Sequence, residues 1–337
     1  MPTSIIDEAP QRTVHRYRPR GDPWWRRENR STRPARPPIL LVPPLAAPAS
    51  CFDLRRGCSL AEHLVELGYH VYLVDYGAIS FSDRALGLEH WVFDVIPGAV
   101  EIVSEDVGGA DVNMLGWSLG GVMALLTAAA DQEQPIATTA MVGSPFDFES
   151  MSMGAPIRRL AKLTGGRLIS GLYRMLGGAP APLTSLGFRL TAIDRIITKP
   201  LFIAENVLDT EKLAHAQAVD GYMRNMFAYP GRSFGQLYHT FFLINELYDG
   251  RTELGERTVD LADVRQPVLV IAGDSDVLAP EAAVQHVGGL LRGASEVQLE
   301  TVPGGHLGIL TGQGARRTTW KLLDEFLVQH NRLTADG

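Results

Sequence analysis

Apolar runs alternate along the chain with stretches of helical period. Pro38-Ile39-Leu40-Leu41-Val42 is the first run, and Tyr69 to Asp75, Val112 to Leu115, Ala137 to Val142 and Gln266 to Ile271 follow it, with Glu296 to Val302 near the end. Short runs rich in aliphatic and β-branched residues, without polar alternation, predict strands covered on both faces. Between them, Ser59 to Leu67, Leu88 to Glu105, Val122 to Ala130 and Ala315 to His330 carry helical spacing. Ser59, with Glu62 three residues on, is a capping-box signature at the start of the first of these helices. Pro97 predicts an irregularity in the second. This alternation predicts an α/β fold with a mostly parallel central sheet and helices on both faces.

The rhythm changes near Ser144. Residues 150–260 read as helix-like, with many apolar or aromatic positions that include Leu172, Tyr173, Met175, Leu176, Phe188, Met223, Met226, Phe227, Phe234, Tyr238, Phe241 and Phe242. The stretch is too long for a simple loop and predicts a helical cap inserted between sheet strands. The expected division is an N-terminal arm and edge strand at 1–37, a core made of 38–149 and 260–333, and a cap at 150–259.

Candidate chemistry sits at the strand–helix junction Val112-Asn113-Met114-Leu115-Gly116-Trp117-Ser118-Leu119-Gly120-Gly121-Val122. G-x-S-x-G between a strand and a helix is the nucleophile elbow of the α/β-hydrolase fold, with Ser118 perched on a strained turn. Glycines two before and two after the serine suit a place where strand and helix pass too close for a Cβ. A plain Gly/Ser turn is the alternative, and the strand-then-helix order favours the elbow. Residues 112–130 are uncharged over a length that also suits a membrane span. The glycines at 116, 120 and 121 favour the buried elbow instead.

A serine hydroxyl needs a base to take its proton and an acid to orient that base, in the chain order Ser, Asp or Glu, His. His306, in Val302-Pro303-Gly304-Gly305-His306-Leu307-Gly308, follows a strand and a glycine turn and is the expected base. His330 falls at a helix end, and His239 among apolar cap residues reads as a packing histidine. Asp276, in the turn Gly273-Asp274-Ser275-Asp276 after a buried strand, is the preferred acid. Asp274 competes with it, although the first acid of such a turn more often serves turn geometry, and Asp147 after the preceding strand is a third candidate. A tetrahedral intermediate needs two backbone N–H donors. Leu119 is one. The other should follow the first buried strand, where Pro43 and Pro44 have no N–H and Leu45 is the first donor available.

Composition narrows the function. The chain has 337 residues, 45% hydrophobic and 20% charged, with a net charge of −7, a balance that argues against nucleic-acid binding. The charge is uneven: residues 11–36 hold nine arginines against Asp22 and Glu28, a net of +7 that leaves −14 elsewhere. With Trp24 and Trp25 inside it, this stretch could serve as a foot on an anionic lipid surface. Its proline content and lack of helical period favour an edge strand at Val14 to Tyr17 and a long surface loop. Cys51 and Cys58 offer neither a disulfide framework nor metal spacing and read as reduced thiols. The N-terminus lacks the apolar core of a secretory signal, so a cytoplasmic location is expected. No metal or cofactor is expected, since no metal cluster, phosphate loop or dinucleotide fingerprint is visible.

With these motifs placed, the chain resembles the polyhydroxyalkanoate synthase family within the α/β-hydrolase superfamily. The resemblance rests on Val42-Pro43-Pro44-Leu45, Phe52-Asp53-Leu54-Arg55 with Gly57-Cys58-Ser59-Leu60, Tyr72-Leu73-Val74-Asp75-Tyr76-Gly77, Asp83-Arg84 and Gly116 to Gly121. It continues in Ser144-Pro145-Phe146-Asp147-Phe148, Val259-Asp260-Leu261, Pro267 to Pro280 and Gly305-His306-Leu307-Gly308. It covers about residues 39–150 and 259–312 well and the cap loosely. It implies a triad of Ser118, Asp276 and His306, with one departure: those synthases carry cysteine where this chain has Ser118. A thiolate attacks thioesters readily and leaves readily, whereas a serine ester is harder to displace with another hydroxyl.

The expected function is therefore a serine-nucleophile acyl hydrolase acting on lipophilic acyl esters. An acyltransferase of the synthase type using hydroxyacyl-CoA is the alternative, and a non-catalytic lipid-binding protein on the same fold is a third. The expected partners are small-molecule or polymeric acyl esters or acyl-CoA, with no nucleic acid. Peripheral contact of the basic arm with a lipid surface and a homodimer are further expectations.

Overall fold

The computed structural model describes residues 1–19, 36–151, 158, 171, 173, 175–190, 201 and 203–331. Eight strands form one sheet: β1 (Thr3–Ala9), β2 (Arg12–Tyr17), β3 (Arg36–Val42), β4 (Tyr69–Asp75), β5 (Val112–Trp117), β6 (Ile136–Val142), β7 (Val268–Gly273) and β8 (Val297–Val302). Their spatial order is β1-β2-β4-β3-β5-β6-β7-β8. β2 runs antiparallel to both its neighbours, and every other pair beyond it is parallel. The anticipated strand at Val14 to Tyr17 exists as part of β2, but β1 is the true edge. Residues 20–35, including Trp24 and Trp25 of the basic arm, lie outside the described residues.

The apolar runs are sorted by the two-residue period of a strand. Leu40, Val42, Tyr72, Val74 and Met114 join one apolar cluster, while Ile39, Leu41, Val71, Leu73 and Leu115 join another on the opposite face. The second face is covered by α1 (Leu60–Glu66) and α5 (Thr319–His330), whose Leu60, Leu64, Trp320, Leu323 and Phe326 are buried there. Ser59 caps α1 by accepting the Glu62 N–H at 3.0 Å.

The first face is covered by α2, at residues 88–106, and by α3 (Leu119–Ala130). α2 is α-helical at Leu88–His90 and Ile96–Asp106 but widens to a π-turn at Trp91–Val95. Pro97 has no N–H for the carbonyl one turn back, and its ring would press on that carbonyl; the wider turn ahead of it accommodates both problems. α3 is buried over ten of its residues, from Gly120 to Ala129, which is why it has no polar face. The uncharged stretch 112–130 is thus a buried strand and a buried helix. Among the described residues no helix is long and apolar enough to cross a membrane.

Of the stretch read as a cap, the described residues include a helix, α4 (Thr210–Arg224), and a helical segment over 231–243. Leu172 and the side chain of Phe188 lie outside the described residues. The last part of the stretch is not helical. Arg251–Leu254 and Arg257–Asp260 pair as a hairpin, and Leu254 and Val259 pack into the same cluster as Val122 and Leu125 of α3. The hairpin turns at Gly255 with φ 62°, a short-turn signal that the sequence carried.

The two ends of the stretch between Phe148 and Asn245 are tied together. Asn245, in the left-handed region at φ 59°, accepts the Phe148 N–H and donates to Asp147 Oδ1, each at 2.8 Å. Asn245→Ala should cost about 2 kcal/mol in chemical denaturation, because it orphans the N–H of buried Phe148 and strains the backbone. Asn245→Gly should lose less, since glycine accepts the backbone angle.

Candidate active site

β5, β7 and β8 end on the same edge of the sheet, and a candidate group follows each end. Ser118 directly follows β5 with φ 55° and ψ −129°, outside the ordinary regions for a residue with a side chain. The turn that creates this geometry is possible only because its flanks are bare. A Cβ on Gly116 would lie 2.3 Å from the Cα of Gly121, and one on Gly120 would lie 2.2 Å from the carbonyl oxygen of Val42 and 2.6 Å from the carbonyl carbon of Pro43. The Ser118 N–H donates to the Val142 carbonyl of β6 at 2.9 Å, which pins the turn to the sheet.

Asp276 lies in the turn after β7 and His306 in the loop after β8. The structure brings both to Ser118. His306 Nδ1 is 2.7 Å from Asp276 Oδ2, and His306 Nε2 is 2.8 Å from Ser118 Oγ. A carboxylate only accepts, so Nδ1 donates to it and Nε2 is left to accept from the serine hydroxyl. The Asp276 side chain is fully buried and that of His306 nearly so. The second oxygen, Asp276 Oδ1, accepts the N–H groups of Leu278 and Ala279, each at 2.9 Å, so the carboxyl is held in one orientation.

The competing acids have other partners. Asp274 Oδ1 accepts the Gly304 N–H at 3.0 Å and ties the β7 turn to the loop that carries His306. Asp147 bonds Ser150, Asn245 and the N–H of Glu149. Burial works against its ionisation, but the bonds from Ser150 and Asn245 and from the neighbouring N–H groups outweigh it and hold the carboxyl below its ordinary range. His239 is half-buried among aromatic rings, 4.8 Å from Tyr238 and 6.2 Å from Tyr173 between centroids.

Leu119 opens α3, and the first N–H groups of a helix have no partner inside it. Leu45 follows the Pro43-Pro44 pair in the loop after β3, and no acceptor among the described residues takes its N–H. The start of that loop rests on Gly120, next to Leu119, through the close approach already described. Trp117, the unspecified residue of the G-x-S-x-G pattern, has a role the sequence did not announce. Its Nε1–H donates to the His306 carbonyl at 3.1 Å, and its ring lies 5.0 Å from the imidazole.

Tyr222 of α4 and Met226 just beyond it pack in the cluster that holds Trp117, with the Trp117 and Tyr222 rings 6.3 Å apart. Residues of the cap stretch thus reach the apolar cluster that holds the neighbour of Ser118 in the chain. Both cysteines are free and buried, and burial pushes the Cys51 thiol far up, so it presents no thiolate. Among the described residues no group of acidic, histidine and cysteine side chains is arranged to hold a metal ion.

Residues 37–168 match the family model described as alpha/beta hydrolase fold. The chain has the α/β hydrolase fold. Two curated relatives are similar to this chain over most of its length. One is the poly(3-hydroxyalkanoate) polymerase subunit PhaC of Allochromatium vinosum, 26% identical over 97% of this chain and 88% of the relative. The other is the subunit of the same name from Haloferax mediterranei, 24% identical over 89% of this chain; the match spans 60% of that relative's length. Among solved structures, the alpha/beta hydrolase domain-containing protein 10 from mouse superposes with a TM-score of 0.53 over 98% of this chain and 99% of its own, at 15% identity.

Gly120→Ala is expected to cost about 3 kcal/mol in chemical denaturation, because backbone atoms cannot move aside as a side chain would. A cost under about 1 kcal/mol would show that the Val42–Pro43 loop yields easily.

Proposed function

We propose that this α/β hydrolase is a serine-nucleophile acyl hydrolase that acts on lipophilic acyl esters through an acyl-enzyme. The observation that carries the reading is the continuous hydrogen-bonded chain from Ser118 through His306 to Asp276. Ser118 Oγ attacks the ester carbonyl as His306 Nε2 takes its proton, and the C–O π electrons move to the carbonyl oxygen. Asp276 keeps Nδ1 protonated and balances the charge of the imidazolium. The N–H groups of Leu119 and Leu45 stabilise the oxyanion. As the intermediate collapses, His306 returns the proton to the departing alcohol oxygen and the acyl group stays on Ser118. Water repeats the sequence: His306 takes one of its protons, its oxygen bonds the acyl carbon, and Ser118 Oγ regains a proton as the carboxylic acid leaves. The many apolar and aromatic residues of the cap stretch favour a lipophilic acyl chain.

A second reading, acyl transfer from hydroxyacyl-CoA to the hydroxyl of another hydroxyacyl chain, is favoured by the similarity to polymerase subunits. It uses the same nucleophile and base and replaces water with a hydroxyl acceptor. Water suits the serine ester of this chain better, since an oxygen ester is less easily displaced by a hydroxyl than a thioester.

Short p-nitrophenyl esters and hydroxybutyryl-CoA separate the two readings: hydrolysis of the first with no polymer from the second is expected. Ser118→Ala and His306→Ala should each lower kcat ~10⁴-fold or more and leave folding intact. Asp276→Asn should cost on the order of 10⁴-fold, and Asp274→Asn much less. The reverse ranking would reassign the acid. A fluorophosphonate probe should add to Ser118, and a folded protein that resists it would be non-catalytic. Ser118→Cys should raise transfer from the thioester if the pocket admits the CoA substrate.

A further inference from the structure

The loop after β3 is poorly able to hold itself. Pro43 and Pro44 donate no backbone hydrogen bond, and within the loop the Ala47 N–H reaches the Pro44 carbonyl only at 3.4 Å. Ala46 occupies the left-handed region at φ 63°, a conformation an alanine does not adopt unaided. Yet Leu45 and Ala46 are buried, and the loop is closely packed on Gly120.

Two hydrogen bonds from outside supply the missing restraint. At one end the Tyr76 hydroxyl donates to the Pro43 carbonyl at 3.1 Å. At the other, the Phe227 N–H, in the chain just beyond α4, donates to the Ala46 carbonyl at 2.8 Å. Leu45 lies between the two gripped carbonyls. Tyr76 follows directly on β4, is buried, and packs edge-on to Trp91 with ring centroids 6.4 Å apart. Its burial keeps the phenol protonated well above its ordinary range, so it remains a donor at any working pH.

We propose that Tyr76 is a positioning residue for catalysis: its hydroxyl, acting with the Phe227 N–H, fixes the Pro43–Ala46 loop so that the Leu45 N–H points at the oxyanion. This inference rests on the serine-hydrolase reading above. A displaced donor weakens stabilisation of the tetrahedral species and leaves ground-state binding of the acyl chain nearly unchanged. Tyr76 therefore acts on kcat and on reaction with a tetrahedral-forming inhibitor. The Phe227 bond makes the same donor depend on the docking of the segment beyond α4.

Tyr76→Phe tests this, because phenylalanine keeps the ring against Trp91 and removes only the hydroxyl. With a p-nitrophenyl ester, kcat should fall about tenfold or more with KM within about twofold. The rate of fluorophosphonate inactivation should fall by a similar factor, with the thermal midpoint lowered by no more than about 2–4 °C, the loss of one buried hydrogen bond. A kcat within about twofold of the parent, in protein whose Ser118 still labels, would overturn the inference and leave the hydrolase reading standing. A fall in kcat accompanied by a thermal midpoint lowered by about 8 °C or more and a raised KM would assign Tyr76 a structural role and also overturn it. A parent enzyme that neither turns over esters nor labels would overturn the hydrolase reading and this inference with it.

Discussion

The backbone of Ser118, at φ 55° and ψ −129°, is in a region where a residue with a side chain is strained by roughly 1–3 kcal/mol. Its carbonyl accepts the Gly121 N–H at 3.1 Å, as at the start of any helix, and that bond does not by itself demand such a geometry. The geometry persists because β5 and α3 press together across Gly116 and Gly120, with backbone atoms where a Cβ would stand, and because β6 accepts the Ser118 N–H. Both elements are almost fully buried, so relaxing the turn would mean lifting an apolar strand or helix from the core. The hydroxyl is thus held above the sheet edge by packing spread over two apolar layers.

The parallel sheet places the remaining groups. Parallel strands point their carboxyl ends the same way, and groups in the turns there converge over one edge. Residues 188 positions apart in the chain meet in this way at hydrogen-bond distance. The turns are themselves cross-tied: Asp274 binds the Gly304 N–H, Trp117 binds the His306 carbonyl, and Asp276 is held by two backbone N–H groups. The result is a geometry fixed before any substrate arrives, which is what electrostatic stabilisation requires.

Much of this was legible in the chain. Apolar runs such as Pro38 to Val42 marked the strands because a strand covered on both faces cannot alternate with polar residues. Gly116 and Gly120 marked the elbow because their spacing reflects a steric need. The turns holding Asp276 and His306 could be read because strand, glycine and functional residue follow within a few positions. Turn geometry favoured Asp276 over Asp274, and the partners each meets across space, His306 for one and the Gly304 N–H for the other, are what pattern does not carry. β1 escaped notice because an outer strand is only half-covered and mixes Glu, Asp and Ile. The hairpin at 251–260 escaped because its helical neighbours dominate the surrounding pattern. Tyr76 and Phe227 act on the Pro43–Ala46 loop through bonds to backbone carbonyls, which leave no mark on residue type at the receiving end.

The knot at Asn245 has an architectural consequence. One amide side chain joins Asp147 and Phe148, just after β6, to Asn245, almost a hundred residues further along the chain. A detour whose two ends are already fastened together is, for the remaining framework, a closed loop of arbitrary girth. Lengthening such a loop costs only a slowly growing closure entropy, about 0.6 kcal/mol per doubling. Parts of the detour that do not touch the framework could therefore be lengthened, shortened or reshaped, so long as Phe227 keeps its bond to the Ala46 carbonyl and Tyr222 its place beside Trp117.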